Sequence, residues 1–540
     1  MTQRETTIAA KNSAWSPLRI PVFRTLWIAT LASNIGTWMH DIGAGWLMTS
    51  LAPSPVMVAL IQTATTLPIF LLVIPAGALS DIIDRRRYLI AIQLWLAVVA
   101  ALLGFLTLAG FTTAWMLIVM TFAMGLGSAM MMPAWAALTP ELVPRNELQA
   151  TIALNSLGMN VARAIGPALA GTIVSLFGAG AVFVLNALSY AGIIWVLTRW
   201  RREVLPSELP SERFFGAMRT GFRFVRHAPE LQAAVMRGFG FFLFTSASWA
   251  LLPLIAKSLV NGGPQAFGIL VGSVGAGAVG GALVLPTLRA KFSADLLVAA
   301  ATVLYAAAMV GLASMDRLAI LSLVMALSGV AWITVLSSLQ VAAQMALPDW
   351  VRSRGLAVFM AIVMGSMALG SLLWGKMAEL VGVPHALEIA AIGAVAAVAV
   401  TWRWRISGFE KANLTPSMHW PTPVTRPDVT ADRGPVLVTI QYDVQSQQRI
   451  RFLRALRTLG KRRRRDGAFA WSIFEHTELP DHFIETFSVE SWLEHLRQHQ
   501  RVTDADRVLQ ASIQDLLVAG SRPIVTHYVA PEVRALQERE

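Results

Sequence analysis

Apolar residues run through residues 22–405 in long blocks, and short polar stretches separate them. The blocks fall near 22–49, 56–79, 88–109, 113–138, 147–177, 179–198, 233–257, 266–288, 294–314, 317–346, 355–380 and 384–402. Each is about 20 residues or longer, enough for a helix to cross a hydrocarbon core of roughly 30 Å. The pattern predicts an all-α membrane region of twelve transmembrane helices. Beyond it the period changes. Val436–Tyr442 alternates as a strand does, and a helix is expected from about Gln447 to Arg464. Strands are expected at Ala470–His476 and His482–Val489, helical stretches over 490–518, and a last strand at Pro523–Val529. The order β-α-β-β-α-β indicates a ferredoxin-like α+β domain.

An even number of helices puts both ends of the chain on one side, and the basic residues say which. With the N-terminus inside, the inner segments hold Arg4, Lys11, Arg19 and Arg24, then Arg85–Arg87 and Arg145. They continue with the stretch from Arg199 to Arg237, then Arg289, Lys291, Arg352 and Arg354, whereas the outer loops hold only Lys257 and Arg317. This bias makes both ends cytoplasmic, in a multi-pass protein of the cell (inner) membrane. The expected organisation is a cytoplasmic N-terminus (1–21), a six-helix bundle (22–198), a cytoplasmic central loop (199–232) and a second six-helix bundle (233–405). A Pro-rich linker (406–434) and the cytoplasmic domain (435–540) follow. Met1–Pro21 is polar without a signal-peptide core, so the first helix is expected to act as an uncleaved anchor.

Composition sharpens this picture in three places. Charged residues make up 14% of the chain, against roughly 25% in soluble domains. The net charge of +12 would suggest nucleic acid in a soluble protein, but the loop bias explains it, and no nucleic-acid partner is expected. There is no cysteine, which removes disulfides, thiolate metal sites and cysteine nucleophiles. The chain also has no Gly-Lys-Ser/Thr phosphate loop, which argues against an ATP-driven pump.

The two halves carry a faint repeat. Pro140-Glu141-Leu142-Val143-Pro144-Arg145 corresponds to Pro348-Asp349-Trp350-Val351-Arg352, and Gly171 with Gly178 corresponds to Gly375 with Gly382. Between helices 2 and 3, Gly77-Ala78-Leu79-Ser80-Asp81-Ile82-Ile83-Asp84-Arg85-Arg86-Arg87 resembles the signature of the major facilitator superfamily, departing from it at Ile82 and Asp84. The resemblance implies two pseudo-symmetric six-helix bundles that rock about a central site. It gives Gly77, Asp81, Arg85 and Arg86 a gating role, with the acid reaching the start of helix 11. Gly166-Pro167 with Gly171 on helix 5 resembles the antiporter branch's Gly-Pro motif. With Pro133 and the soluble tail, the chain resembles the transmembrane secretion effector branch, which is similar to enterobactin exporters. That likeness implies a secondary exporter of small amphipathic, drug- or siderophore-like molecules, driven by protons and in contact with membrane lipid. The alternatives are an importer or lipid flippase of the same fold, or a sensor or enzyme anchored by its helices.

Asp41 and Arg163 are the charges most plainly within the apolar blocks. Asn34, Trp38, Asp41 and Gly45 share a helix face, as do Ser156, Asn160, Arg163 and Pro167. The two seams predict an Asp41–Arg163 pair, acting either as a proton-coupling element or as a static buried ion pair, with snorkelling to the lipid interface as the remaining alternative. His40 beside it reads as an interfacial residue. In the fold that the resemblance implies, helices 1, 4, 7 and 10 line a central cavity. Trp38, Met124, Ser128, Met131, Trp135, Phe242, Thr245, Trp249 and Trp332 are the candidate substrate-facing residues, because Met and Trp adapt to bulky apolar shapes, and lipid-facing or core packing is the alternative for each.

The tail resembles the dimeric α/β barrels of antibiotic-biosynthesis monooxygenases, which leaves room for a homodimer through this domain. No nucleophile–base set, nucleotide loop or metal cluster is evident, so no enzymatic activity, cofactor or metal is expected. His495 and His499, at i and i+4, read as a solvated face, and the run Lys461–Arg465 suits anionic lipid headgroups.

Overall fold

The computed structural model describes residues 15–200, 223–258, 262–348, 350–406, 417, 419–420 and 433–531, apart from the side chains of Ala78, Asp81, Ile82, Ala137, Arg145 and Gln500. Arg4, Lys11, Asp349, most of the central loop and most of the Pro-rich linker therefore lie outside the described residues. The chain divides into two compact units.

The first unit is built from helices. α1 spans Pro21–Leu51, α2 Pro55–Ile82, α3 Arg85–Leu108, α4 Ala114–Leu142, α5 Leu148–Phe177 and α6 Ala179–Arg199. α7 spans Pro229–Ser258, α8 Pro264–Lys291, α9 Ala294–Ser314, α10 Leu318–Met345, α11 Arg352–Val381 and α12 Val383–Thr401. Among the described residues, eleven helices, α2 to α12, are long and apolar enough to cross a membrane. α1 is as long as the others but carries Asn34, His40 and Asp41 along its middle.

Local chemistry sets the ends of these helices. Asp84 caps α3 by accepting the Arg87 amide at 2.9 Å, and the Thr113 and Ser293 hydroxyls cap α4 and α9. Gly178 (φ +78) and Gly382 (φ +86) make the tight α5–α6 and α11–α12 turns, a backbone region that a side chain would strain. The glycine match between the halves thus reflects one turn used twice. Within the helices, hydroxyls return to their own backbone, as Thr37 does to Ser33 and Thr245 to Phe241. This suits a medium that offers no competing donor or acceptor.

The second unit carries β1 (Val436–Asp443), α13 (Arg449–Asp466), β2 (Ala470–Glu475), β3 (His482–Val489), α14 (Trp492–Arg501), α15 (Asp504–Gln514) and β4 (Ile524–Val529). The strand order is β2-β3-β1-β4 with every pair antiparallel, so Val438 lies opposite both Phe487 and His527. One sheet face and α13 bury Val438, Ile440, Phe452, Leu456 and Phe487 together. The unit also takes in segments distant in sequence. Arg223 approaches Glu494 at 3.6 Å, and the Arg501 guanidinium lies 4.3 Å over the Trp350 ring.

The Lys461–Arg465 run does not form the exposed basic edge expected of it. Arg462 and Arg465 pair with Asp506 at 2.8 and 3.0 Å, Arg465 also holds Asp466, and Arg463 points to the fully buried Glu485. Sequence alone places five cations side by side. Helix geometry turns three of them toward acids carried by β3, α15 and α13 itself.

Candidate functional site

A cavity of about 360 Å³ lies between the two helix bundles of the first unit. α1 contributes Trp38, Asp41 and Gly45 to its wall, and α2 contributes Gln62 and Thr65. α5 contributes Arg163, α7 Trp249, α10 Trp332, and α11 Met364 and Met367. Its surface is mostly aromatic and aliphatic, with one carboxylate and one guanidinium. That is the make-up of a site that holds an amphipathic molecule by shape and orients it by charge.

Asp41 and Arg163 meet on this wall without the close approach of an ion pair. Among the described residues, no nitrogen–oxygen distance within 4.0 Å joins them. Arg163 instead lies 5.8 Å from the Trp38 ring centre, a cation–π placement. Both charged groups face the chamber. His40 is not an interfacial residue. It is 2% exposed and packed against Phe183 at 4.7 Å, because α1 leans on α6 through Gly36 and Gly43.

The structure divides the expected substrate-facing residues. Trp38, Trp249 and Trp332 line the cavity. Met124, Met131 and Trp135 pack within the first bundle, where the Gln93 amide donates to the Met131 sulfur at 3.1 Å; Ser128 lies off the cavity wall as well. Phe242 is fully buried 5.1 Å from Trp332 and Thr245 is buried beside it, so both stand behind the wall rather than on it. Periodicity finds a face but cannot say whether that face meets a cavity or a neighbouring helix. Thr121 of α4 reaches the cavity, as do Met364 and Met367, which sequence reasoning missed. Nothing in their spacing marks them out.

Two of the residues expected to gate bond within the first bundle. Arg85 pairs with Glu141 on α4 at 2.6 Å, and Arg86 donates to the Leu197 carbonyl at the end of α6 at 2.6 Å. A Cβ on Gly77 would touch Pro133 at 3.9 Å; the Asp81 side chain lies outside the described residues.

The helix-5 motif has a sharper role. A Cβ on Gly166 would meet Trp38 at 2.7 Å, and one on Gly171 would meet the Pro264 carbonyl at 2.6 Å. A Cβ on Gly275 would meet the Arg163 carbonyl at 2.6 Å. α5 and α8 therefore touch backbone to backbone along Arg163–Gly171, which only small residues permit. On the opposite side, Gly375 on α11 abuts Ala59 and Pro55 on α2, and Thr63 donates to the Ala368 carbonyl at 3.3 Å. Lys257 donates to the Thr49 carbonyl at 2.5 Å. All these contacts between bundles involve helix segments remote from the Arg85–Arg87 turn.

The second unit holds a larger cavity, of about 1030 Å³, between the sheet face and its helices. Val438, Phe487, Arg463, His495, His499 and His527 lie on its wall. His495 is 1% exposed, so the pair on α14 is not a solvated face. Burial pushes the His495 imidazole down to about 3 and His499 to about 4, and lowers His527 too. Burial also raises the Tyr442 hydroxyl, helped by the Glu485 carboxylate to which it donates a hydrogen bond at 2.8 Å.

Paired helix bundles around a central cavity are the architecture of a major facilitator transporter. The chain belongs to the transmembrane secretion effector family, whose sequence profile matches residues 12–535. Among its relatives is the staphyloferrin A transporter of Staphylococcus aureus, 23% identical over 67% of this chain and 90% of that protein. Macrolide efflux protein A of Streptococcus pyogenes is 23% identical over 49% of this chain and 65% of that protein. In fold, a POT family transporter in complex with a thioalcohol-conjugated peptide superposes with a TM-score of 0.60 at 14% identity, covering 72% of this chain and 96% of that one. A bacterial homologue of the lysosomal transporter Spinster, inward-facing and occupied, gives 0.57 at 14% identity, covering 72% and 97%.

Proposed function

We propose that the protein is a secondary active exporter of small amphipathic molecules, siderophore-like or drug-like, working by alternating access. The observation that carries this reading is the cavity between the bundles, walled by Trp38, Trp249 and Trp332 and holding Asp41 and Arg163. α1 serves as the twelfth span, its polar residues turned to the cavity and to α6 rather than to lipid. In this reading both chain ends are cytoplasmic and the membrane is the cell (inner) membrane, which the basic turns support. In that orientation the glycine seams close the outer end, and the conformation is inward-facing. Arg85 and Arg86 brace the inner ends of α4 and α6, so that the first bundle moves as one body, with Gly77 and Asp81 completing the gate.

Asp41 is the coupling residue in this reading. A carboxylate without an ion-pair partner in a narrow chamber can exchange its proton with the cytoplasmic side, and its charge then competes for Arg163 or for a cationic substrate group. The named relatives act on a siderophore and on macrolides, which supports the substrate class. The C-terminal unit, with its ferredoxin-like strand order, acts as a regulatory or dimerising module rather than an enzyme. The test is efflux of candidate siderophores and macrolides from cells, with and without a protonophore. Export that a protonophore abolishes, and that survives removal of residues 432–540 at least in part, supports a proton-driven transporter. Net accumulation driven by the same gradient would instead make it an importer, and complete loss on removing the tail would favour an anchored sensor or enzyme.

A further inference from the structure

The cavity of the C-terminal unit collects imidazoles in a way that the transport reading leaves unused. His495 and His499 lie one turn apart on α14, and His527 comes from β4, one of the two edge strands, beside them. One nitrogen from each ring can be chosen so that all three lie within 4.8 Å of one another. The Nε2 atoms of His495 and His499 are 3.2 Å apart. Two imidazoles bound to one tetrahedral ion at bond lengths of about 2.0–2.1 Å place their nitrogens about 3.3 Å apart. That spacing suits two ligands of one ion, and equally the hydrogen bond that one neutral ring donates to the other.

We infer that His495, His499 and His527 form a binding site for a late first-row divalent metal ion, represented by Zn²⁺, with one coordination position open to the cavity. All-imidazole sets suit Zn²⁺, Cu²⁺, Ni²⁺ and Co²⁺ and offer nothing to Mg²⁺ or Ca²⁺, which need oxygen. His495 is buried, His499 and His527 are partly buried, and it is the neutral imidazole that ligates. Arg463, on the same cavity wall, disfavours positive charge at His495 and His499, and the buried Glu485 carboxylate 3.4 Å from its Nε offsets part of that. That carboxylate also accepts from Tyr442 and from Trp471 at 2.8 Å, which fixes Arg463 in place. Nδ1 of His495 is buried without a hydrogen-bond partner. A buried polar atom left this way is costly, and it marks a cluster whose polar demand the surrounding side chains do not meet. His527, only partly buried on its edge strand, has the freedom to close toward the other two.

The competing account is a static stack of neutral rings, with His495 and His527 centroids 4.7 Å apart. In that account the cavity binds no metal. The site belongs to the C-terminal unit and is independent of whether the first unit exports anything.

The experiment uses the full-length chain, purified in detergent with a tag free of histidine, stripped with chelator and reloaded with Zn²⁺ or Co²⁺. After desalting, elemental analysis should find close to one ion per chain. The cobalt form should show the intense visible bands of a tetrahedral centre. His499→Ala and His527→Ala should each weaken binding by about tenfold or more and collapse those bands. X-ray absorption at the cobalt edge of the unmutated protein counts imidazole ligands directly and needs no variant to fold. Three imidazoles plus a light ligand support the site. Fewer than three, or wild-type metal content no higher than that of a variant lacking all three histidines, overturns it.

Discussion

The two units solve the burial of polar groups in opposite ways. In the first, hydroxyls bond to their own helix, and the bundles meet through shape, with Gly171, Gly268 and Gly275 letting two backbones touch. In the second, charges are buried in company. Arg462, Arg465, Asp466 and Asp506 interlock, and Glu485 takes donors from Arg463, Tyr442 and Trp471. The difference follows from the surroundings. Lipid gives no apolar driving force between apolar helices, so close contact has to supply cohesion. Water drives the second unit to bury its core, and charged side chains carried in with that core survive only with partners.

If shape holds the first unit, the largest effect should come from adding bulk at the seam. Gly171→Leu should abolish flux and lower the yield of folded protein, measured by efflux and by size-exclusion chromatography in detergent. Gly263→Ala, at a position with nothing within 4 Å, should leave both unchanged. Equal tolerance of the two would break the comparison.

Next comes the chamber. Asp41→Asn should remove gradient-driven export while folded protein stays at wild-type levels, because the group faces a cavity and has no ion-pair partner to lose. Wild-type export by that variant would remove Asp41 from the mechanism.

A third change tests the exception to the rule, a buried ion pair inside the first unit. Arg237 and Asp295 meet at 2.9 Å, Arg237 also donates to the Trp404 carbonyl, and Asp295 accepts the Ile406 amide. Arg237→Ala removes the guanidinium 2.9 Å from a buried carboxylate and should destabilise the protein by about 3–5 kcal/mol, read as a lower midpoint of thermal unfolding. The pair holds the first third of α7 to the start of α9.

The smallest effect is electrostatic and belongs to the second unit. Burial alone would raise the Asp506 carboxyl, but Arg465 and Arg462, with the Thr503 hydroxyl and amide, overcome it and hold it at about 2. The group is ionised in the folded state and protonates more readily when unfolded. Its contribution is therefore complete above about pH 4 and is lost as pH falls toward 2, about 2 kcal/mol in all. Asp506→Asn should flatten that part of an acid-unfolding curve followed by tryptophan fluorescence. An unchanged curve would mean that the arginine–acid cluster adds no net stability.

Much of the fold was legible because its causes are local. Apolar runs predicted the helices to within a few residues, and β3 was expected and found at His482–Val489. Gly178 and Gly382 announced two equivalent turns. The Gly-Pro segment of α5 marked a close contact, though not that α8 would be the partner. The candidate site was legible only in part. Trp38, Asp41, Arg163, Trp249 and Trp332 do meet at one cavity, whereas Met124, Met131 and Trp135 turn to α3 and its neighbours. An apolar face has the same appearance whether it waits for a ligand or for another helix.

The sequence by itself determined which segments belong in a membrane and where the chain returns to water, since those follow from transfer energies summed along about 20 residues. It also determined the α/β order of the tail. Only the tertiary structure decided that Arg463 faces Glu485, that Asp41 and Arg163 share a cavity wall without pairing, and that His527 joins His495 and His499. Those outcomes depend on groups far apart in the chain arriving at one place. Periodicity gives the direction of a side chain around its own axis, but packing alone chooses what stands opposite.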